Sequence, residues 1–242
     1  MDQFRTLSDP PYALYEPMLR HRGPEPFVIA QLGQSLDGRI ATPTGKSRDI
    51  NGFSGLDHLH RLRASVDAVV VGVGTVVADD PQLSTRRVKG RSPTRVIIDR
   101  EGRSSRSAKW LGCDGCRRIV FSDNAEGWPA EVERIGGDGS PDAFSPAFIV
   151  AALAARGHHT ILIEGGASTI SRFIDARRVD RLHICLAPII LGSGRPGLQL
   201  RPIDELTDAL RPRANAYVLA DGNVLYDCDL RSPARGDTHA TD

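Results

Sequence analysis

The sequence Glu164-Gly165-Gly166, a carboxylate followed by two glycines, is typical of a turn that binds a ligand. The apolar run Thr160–Glu164 (TILIE) predicts a buried strand, and the residues after Gly165–Gly166 have the apolar spacing of a helix. Glycines let the backbone approach a pyrophosphate, and free N–H groups at a helix N-terminus attract an anion. The segment therefore predicts a phosphate cradle beside the acid Glu164. Such a turn also occurs without a ligand, so both interpretations stay open at this point.

A second group of polar residues follows the strand that we predict over Asp67–Val73 (DAVVVGV). Two glycines partly match G-x-G-x-x-G, but no third glycine arrives and we expect no helix before Pro81, so we reject a Rossmann-type site. Asp80 can cap backbone amides, which leaves Asp79 free to accept from a ligand hydroxyl. Arg86 can make a forked, charge-assisted contact to phosphate.

A third group, Ser35–Gly38 (SLDG), directly follows the apolar run Phe27–Leu32, which we predict as a buried strand. A tight turn with Gly38 at positive φ explains this group without any ligand. A fourth group, Pro188–Gly194, contains two glycines after a strand and is compatible with plain loop structure.

The elements that must bring these groups together alternate along the chain. We predict further strands over 94–99, 118–122 and 181–187, a helix capped by Ser54, and a helix over 146–156. Asp221-Gly222 predicts a hairpin between 216–219 and 223–227. The fold class is therefore α/β: a single domain whose central, mostly parallel mixed sheet is flanked by helices and ends in an antiparallel hairpin. Open sheets of this kind bind ligands at the carboxyl ends of their strands.

Composition excludes several classes of function. The chain has 242 residues, of which 40% are hydrophobic and 25% charged, as in globular proteins. Its net charge of +1 predicts no nucleic-acid partner and no membrane partner. No apolar stretch approaches the roughly 18 residues of a membrane span, and the N-terminus lacks a secretory signal, so we expect a cytoplasmic protein.

The remaining expectations concern boundaries and metals. Prolines between positions 10 and 26 predict an irregular N-terminal arm over 1–25, followed by the catalytic domain over 26–230 and a flexible tail over 231–242. His58 and His60 point to different faces of a helix and make a poor metal pair. The C-D-G-C at 113–116 lacks the second pair that a zinc ribbon needs, and we expect no metal.

Taken in order, these groups resemble the pyrimidine reductase family of riboflavin biosynthesis, over nearly the whole chain from about Phe27 to Asp229. The resemblance rests on the spaced motifs S-L-D-G-R, L-R-A-x-x-D-A, G-x-G-T-V-x-A-D-D-P-x-L, R-V-I-I-D, E-G-G-A-S, V-D-R-L and A-P-I-I-L-G. It implies a dihydrofolate reductase-like fold, a homodimer, and an enzyme in which NADPH gives its hydride to the ribose C1′ of a phosphorylated pyrimidine, which opens to a ribityl chain.

The resemblance also implies roles for individual residues. At the cofactor it would place Gly33, Asp49, Thr75, Asp79, Gly165, Gly166, Ala167, Ser168 and Thr169. At the substrate it would place Ser47, Arg63, Leu83, Arg86 and Glu164, with both arginines suited to the 5′-phosphate. Arg100 is our own candidate for the 2′-phosphate of NADPH, because an arginine near the adenosine ribose favours NADP over NAD. Asp37 and Glu164 are the acids that we consider for proton delivery.

Two departures from the family pattern keep the substrate open. Gln31 stands where many members have lysine, and Asp49 stands where bacterial bifunctional members often have an aromatic residue. The zinc deaminase signature H-x-E with P-C-x-x-C is absent, so we expect a stand-alone reductase. We expect reduction of 5-amino-6-(5-phosphoribosylamino)uracil or its equivalent in the pathway. The alternatives are a reductase of a pterin or related heterocycle and a non-catalytic nucleotide-binding relative.

Overall fold

A computed structural model describes residues 6–7, 12–48, 50–140 and 142–231. Its strands, in chain order, are β1 (Thr6–Leu7), β2 (Phe27–Ser35), β3 (Arg39–Ala41), β4 (Ala68–Gly72), β5 (Thr94–Ile98), β6 (Arg118–Phe121), β7 (Val132–Ile135), β8 (Thr160–Glu164), β9 (Arg181–Ala187), β10 (Arg195–Pro196), β11 (Arg213–Leu219) and β12 (Val224–Asp229). Its α-helices are α1 (Glu16–Leu19), α2 (Phe53–Ser65), α3 (Val73–Asp79), α4 (Pro146–Ala154) and α5 (Ala167–Asp175). Short 3-10 turns lie at Tyr12–Leu14, Lys109–Leu111 and Leu206–Asp208.

Ten strands form one twisted sheet in the order β1-β11-β12-β9-β2-β8-β4-β5-β6-β7. The seven strands from β9 to β7 in this order are parallel to their neighbours, whereas β12 runs antiparallel to both β9 and β11. The two remaining strands, β3 and β10, pair with each other in a separate antiparallel ribbon. The predicted α/β class, with a mostly parallel sheet and a C-terminal antiparallel hairpin, is confirmed.

Both faces of the sheet carry an apolar core, as a mostly parallel sheet requires. Alternate residues of β2 show this division: Val28 and Ala30 pack with α4 and α5, whereas Phe27 and Ile29 pack on the opposite face with Leu62 of α2. No helix in the described part of the chain is long and apolar enough to cross a membrane.

Two local predictions are wrong. The chain forms helix α3 before Pro81, because Val73 and Val76 bury their side chains against the sheet. Helix α2 begins at Phe53 after Gly52 rather than after a Ser54 cap, and the distant Asp221 carboxylate accepts from the Ser54 N–H instead.

The segment predicted as an irregular N-terminal arm contains ordered turns. Helix α1 follows a 3-10 turn, and Leu14, Tyr15 and Met18 are buried in the core on the α2 face. The prolines exclude a long helix but allow these short turns, with Pro17 in the first turn of α1. The predicted tail lies outside the described residues except for Arg231. The division into domains stays a prediction.

Candidate active site

A cavity of about 870 Å³ opens at the carboxyl ends of the parallel strands. Each of four neighbouring strands contributes a residue at or near its end: Gly33 from β2, Gly72 from β4, Ile98 from β5 and Glu164 from β8. Their carboxyl ends meet at one edge because the strands are parallel, which is where open α/β sheets bind ligands. The cavity therefore lies where the sheet topology predicts a site.

Two elements outside the main sheet close the sides of this cavity. Helix α2 contributes Gly55, Leu56, Leu59 and Arg63. The ribbon of β3 and β10 contributes Ile40 and Arg195, among others, on another side. These walls bring residues that are distant in sequence to a single site.

One part of the cavity wall is a cradle of backbone atoms. Gly165 has a φ of +91°, and a Cβ atom there would lie 2.8 Å from Oγ1 of Thr75. The same Oγ1 accepts from the Gly166 N–H at 2.7 Å, which ties the start of α5 to the first turn of α3. The sequence from Gly165 to Thr169 lines the cavity, so the N-terminus of a nine-residue helix points its free amides at this space.

A second part of the cavity wall, in which Glu164 directly precedes the cradle in sequence, holds a buried ion pair. Arg63 donates from Nε to Glu164 Oε2 at 2.9 Å and from Nη2 to Oε1 at 2.6 Å, so the pair is bidentate. A third bond joins Arg63 Nη1 to the Ser84 carbonyl at 3.2 Å. The side chains are only 6% and 5% exposed. The Arg63 guanidinium is therefore bonded to Glu164 and Ser84, and its direct contact with the substrate phosphate stays a prediction.

A polar contact at the rim joins two further predicted residues. The Ser47 hydroxyl donates to Oδ1 of Asp79 at 3.1 Å, and both residues line the cavity. Asp79 is the last residue of α3, so the helix that carries Thr75 in its first turn also carries this carboxylate. Asp49, the other nearby prediction, lies outside the described residues.

The charge of the lining suits an anionic ligand. Five arginines line the cavity against three carboxylates: Arg63, Arg100, Arg103, Arg172 and Arg195 against Asp79, Glu101 and Glu164. Sequence reasoning missed Asn51, Arg103, Arg172, Arg195 and Gln199. Arg195 reaches the site through the β3–β10 ribbon, which no local pattern predicts.

Asp37 does not line the cavity, and its tentative role in proton delivery is wrong. Its carboxylate accepts from the Ser35 hydroxyl and from the backbone N–H groups of Leu191 and Gly192. The hydrogen bond from Ser35, with those from the backbone, lowers the pKa of Asp37 to about 2. An acid held ionised in this way fastens the loop after β9 and is a poor proton donor at neutral pH.

Two residues predicted to face the substrate lie outside the cavity lining. Leu83 is fully buried in the core on the α2 face, with a left-handed backbone at φ +58°. Arg86 is exposed, and its N–H donates to Nδ1 of His60. Burial and the neighbouring Arg63 lower the pKa of Arg86, while Glu164 opposes this shift, so its guanidinium lies within electrostatic reach of the buried pair.

Arg100 lines the cavity, but its guanidinium already has protein partners. It forms an ion pair with Asp123 at 2.9 Å and donates to the carbonyls of Gly139 and Ser140. Arg103, three residues further on, also lines the cavity, and its side chain is 59% exposed. A binding role for Arg100 stays a prediction.

Residues 26–215 match the RibD C-terminal domain family. The chain belongs to that family. A 2,5-diamino-6-ribosylamino-4(3H)-pyrimidinone 5′-phosphate reductase from Methanothermobacter thermautotrophicus is 33% identical over 215 residues, which are 83% of this chain and 96% of that protein. The riboflavin biosynthesis protein RibD of Aquifex aeolicus is 32% identical over 187 residues, which are 74% of this chain and 52% of that protein.

A solved structure shares the architecture of this RibD C-terminal domain. The Thermotoga maritima diaminohydroxyphosphoribosylaminopyrimidine deaminase/5-amino-6-(5-phosphoribosylamino)uracil reductase matches with a TM-score of 0.75 and 30% identity. The match covers 85% of this chain and 57% of that longer chain. The resemblance identified from the spaced motifs is therefore confirmed.

Proposed function

We propose that this protein uses NADPH to reduce the ribose of a ribosylaminopyrimidine 5′-phosphate. One observation carries the proposal: a single cavity is lined both by a glycine cradle suited to a pyrophosphate and by the buried Arg63–Glu164 pair, whose Glu164 directly precedes the cradle in sequence. We propose that the cofactor lies on the cradle and the pyrimidine beside it, against Arg63 and Glu164. Membership of a reductase family supports the same conclusion.

The lack of room for a Cβ atom at two glycines supports the fit of a dinucleotide in the cradle. A Cβ atom at Gly165 would collide with Thr75, and one at Gly72 would lie 2.4 Å from Oγ1 of Thr169, so only glycine leaves the space beside the helix start open. The amides of Ala167 and Ser168, in the first turn of α5, would hold the pyrophosphate. NADPH, when bound, supplies the hydride. The protein's own contribution is to hold the two partners in line and to exclude water.

On the substrate side, Glu164 acts as a hydrogen-bond acceptor. Both carboxylate oxygens already accept from Arg63, which fixes the plane of the carboxylate while leaving further lone pairs for a ligand hydroxyl or amine. The role that we considered for Glu164 in proton delivery stays a prediction, since both of its carboxylate oxygens already have a partner in Arg63. We propose that Glu164 orients the ribose or the pyrimidine.

Arg86 and Arg100 remain our proposed phosphate ligands. Arg86 is exposed next to the Arg63–Glu164 pair, which suits the 5′-phosphate of the substrate. Arg100 stands beside the cavity after β5, which suits the 2′-phosphate of NADPH. Arg86→Ala should weaken binding of the phosphorylated pyrimidine about tenfold and leave NADPH binding unchanged, because one charge-assisted contact is lost. Equal losses for both ligands would contradict this assignment.

The names of the relatives give two candidate pyrimidines. The archaeal relative is named for the 2,5-diaminopyrimidinone, whereas the Thermotoga enzyme is named for the aminouracil. The decisive experiment follows NADPH oxidation by absorbance with each compound, phosphorylated and dephosphorylated. We expect turnover with at least one phosphorylated compound and little with its dephosphorylated form. Absence of turnover with both phosphorylated compounds would refute the proposal.

We also propose a homodimer located in the cytoplasm. Apolar side chains are exposed in the segment that connects β9 to β11, including Ile190 at 73% and Leu206 at 78% exposure. The first four residues of β11, Arg213–Ala216, which precede the part of β11 that pairs with β1, are also exposed. Exposed apolar residues and exposed strand residues are typical of a surface that pairs with another subunit. Light scattering should give twice the chain mass, and a monomer at micromolar concentration would refute the dimer.

A further inference from the structure

A chain of buried polar side chains crosses the α2 face of the sheet outside the cavity. The Tyr15 hydroxyl bonds to Nδ1 of His58 at 2.8 Å, and Nε2 of His58 bonds to Nδ1 of His183 at 3.0 Å. Nε2 of His183 lies 3.3 Å from Oδ1 of Asp227, close but poorly aligned, and Arg181 donates to that carboxylate at 3.1 Å. Both histidines are fully buried.

The direction of these hydrogen bonds follows from the chemistry of their ends. An ionised Asp227 only accepts, so the proton of His183 belongs on Nε2, and its Nδ1 must accept from His58. Nδ1 of His58 then accepts from the Tyr15 hydroxyl. Burial lowers the pKa of His58 well below its ordinary value, in agreement with this neutral arrangement. Every member therefore has one defined donor or acceptor role.

The chain of hydrogen bonds continues the row of residues that forms the substrate side of the cavity. In the sheet register Glu164 is opposite Gln31, Gln31 is opposite His183, and His183 is opposite Asp227. Paired residues of adjacent strands project from the same face. Four strands thus present one polar row, and Glu164 and Gln31 of this row line the cavity.

Helix α2 lies across this row and contacts it at two polar points. His58 meets His183 on β9, and Arg63 meets Glu164 on β8. Five residues of helix rise by about 7.5 Å, which is comparable with the spacing of about 9.6 Å between strands two positions apart. Together with the Asp221 bond to the Ser54 N–H and the packing of Leu62, these two points fix the direction of α2 on the sheet. His58 is the polar contact that anchors the middle of the helix.

We propose that Tyr15, His58, His183 and Asp227 are positioning residues for the reduction. They hold the middle of α2 through His58, so that Arg63 presents Glu164 to the substrate and Leu59 keeps its place in the cavity wall. Tyr15 and Asp227, the first and last members of this chain of polar side chains, both lie outside residues 26–215, which are the part that matches the family domain. The inference rests on the proposed function, since it assigns α2 to the substrate side.

The test interrupts the chain of hydrogen bonds at two points. It measures turnover of the pyrimidine and binding of NADPH separately. Tyr15→Phe deletes only the hydroxyl, and His58→Gln interrupts the centre. We expect kcat/KM for the phosphorylated pyrimidine to fall about three- to tenfold in Tyr15→Phe, the value of one lost hydrogen bond, with more in His58→Gln. The Kd of NADPH should stay unchanged, because the cradle rests on β8, α3 and α5. Hydrogen exchange should quicken in α2 and not in α5.

Thr160→Val is the matched control. Its hydroxyl donates to Asp67 and accepts from the Asp67 N–H at the start of β8, the end of the strand remote from Glu164. This variant should lose stability without losing kcat/KM. Unchanged kcat/KM and unchanged exchange of α2 in both Tyr15→Phe and His58→Gln would overturn the proposal, as would an equal loss of NADPH affinity. If the wild type turns over neither pyrimidine, the proposed function fails, while exchange in α2 still decides whether the chain of hydrogen bonds anchors the helix.

Discussion

The two parts of the cavity wall are built from different materials. The cradle at Gly165–Thr169 is made of backbone amides and needs glycine because a Cβ atom has no room. The part of the wall that holds the ion pair depends on side chains. Arg63 binds Glu164, and His58 anchors helix α2 to the sheet five residues before Arg63. A backbone cradle can be recognised in the sequence from a short local motif. A side-chain pair depends on how a helix is oriented on the sheet, which is a property of the whole fold.

The largest expected effect comes from unpairing Arg63 and Glu164. Glu164→Gln leaves the buried Arg63 without its counter-charge, and we expect the free energy of unfolding to fall by about 3 kcal/mol, with loss of turnover. The double variant Arg63→Met/Glu164→Leu should recover most of the stability, since both charges are gone, but none of the turnover. Denaturation with urea measures the stability. If the double variant is as unstable as Glu164→Gln, the loss of stability does not come from the unpaired charge of Arg63.

The next effect breaks the backbone cradle. Gly165→Ala places a methyl group against Thr75 at a φ of +91° and should weaken NADPH binding about tenfold, because Thr75 and the start of α5, to which it is bonded, must shift to make room. Gly38→Ala is the matched control, because Gly38 has a φ of +72° and open space around its Cβ position. Fluorescence titration with NADPH distinguishes the two. Equal losses in both variants would mean that strain, and not the cradle, governs binding.

A smaller effect tests which arginine reads the 2′-phosphate. Arg100→Gln should lower affinity for NADPH about tenfold without changing affinity for NADH, because only the phosphorylated cofactor makes the charge-assisted contact. Arg103→Gln is the natural comparison, since Arg103 lines the same cavity and is more exposed. Selective loss in Arg103→Gln alone would reassign the phosphate to that residue.

A further effect is a pH dependence to which two histidines of helix α2 contribute. Burial lowers the pKa of His60 to about 4 and lowers the pKa of His58 well below its ordinary value of 6.5. The unfolded chain then binds more protons than the folded one, so stability is full above pH 6.5 and falls as the pH drops towards 4. The slope should be about 1.4 kcal/mol per pH unit for each histidine.

Urea denaturation between pH 7 and pH 5 checks this dependence. His60→Gln should reduce the slope by about one proton, whereas His159→Gln, at an exposed position, should leave it unchanged. A slope that is the same in wild type and His60→Gln would show that His60 does not titrate as its burial requires.

The main parallel strands, the terminal hairpin and the glycine turn after Glu164 were predictable because each follows from local pattern: β-branched runs, Asp221-Gly222 and the two glycines. The contacts of Arg63, Leu83 and Asp37 were not. Arg63 and Asp37 depend on partners 101 and up to 155 positions away. Helix α3 was missed because burial of Val73 and Val76, and not propensity, decides its formation.

The most direct test of the account is whether the cavity binds two ligands at once. Titration calorimetry with the phosphorylated pyrimidine that is turned over, in the absence and in the presence of saturating NADP⁺, measures this without hydride transfer. The account predicts one binding site per chain in both titrations, with equal or tighter binding when NADP⁺ is present. If saturating NADP⁺ abolishes binding of the pyrimidine, the two compounds share one part of the cavity, and the division between a cofactor cradle and a substrate pair is wrong.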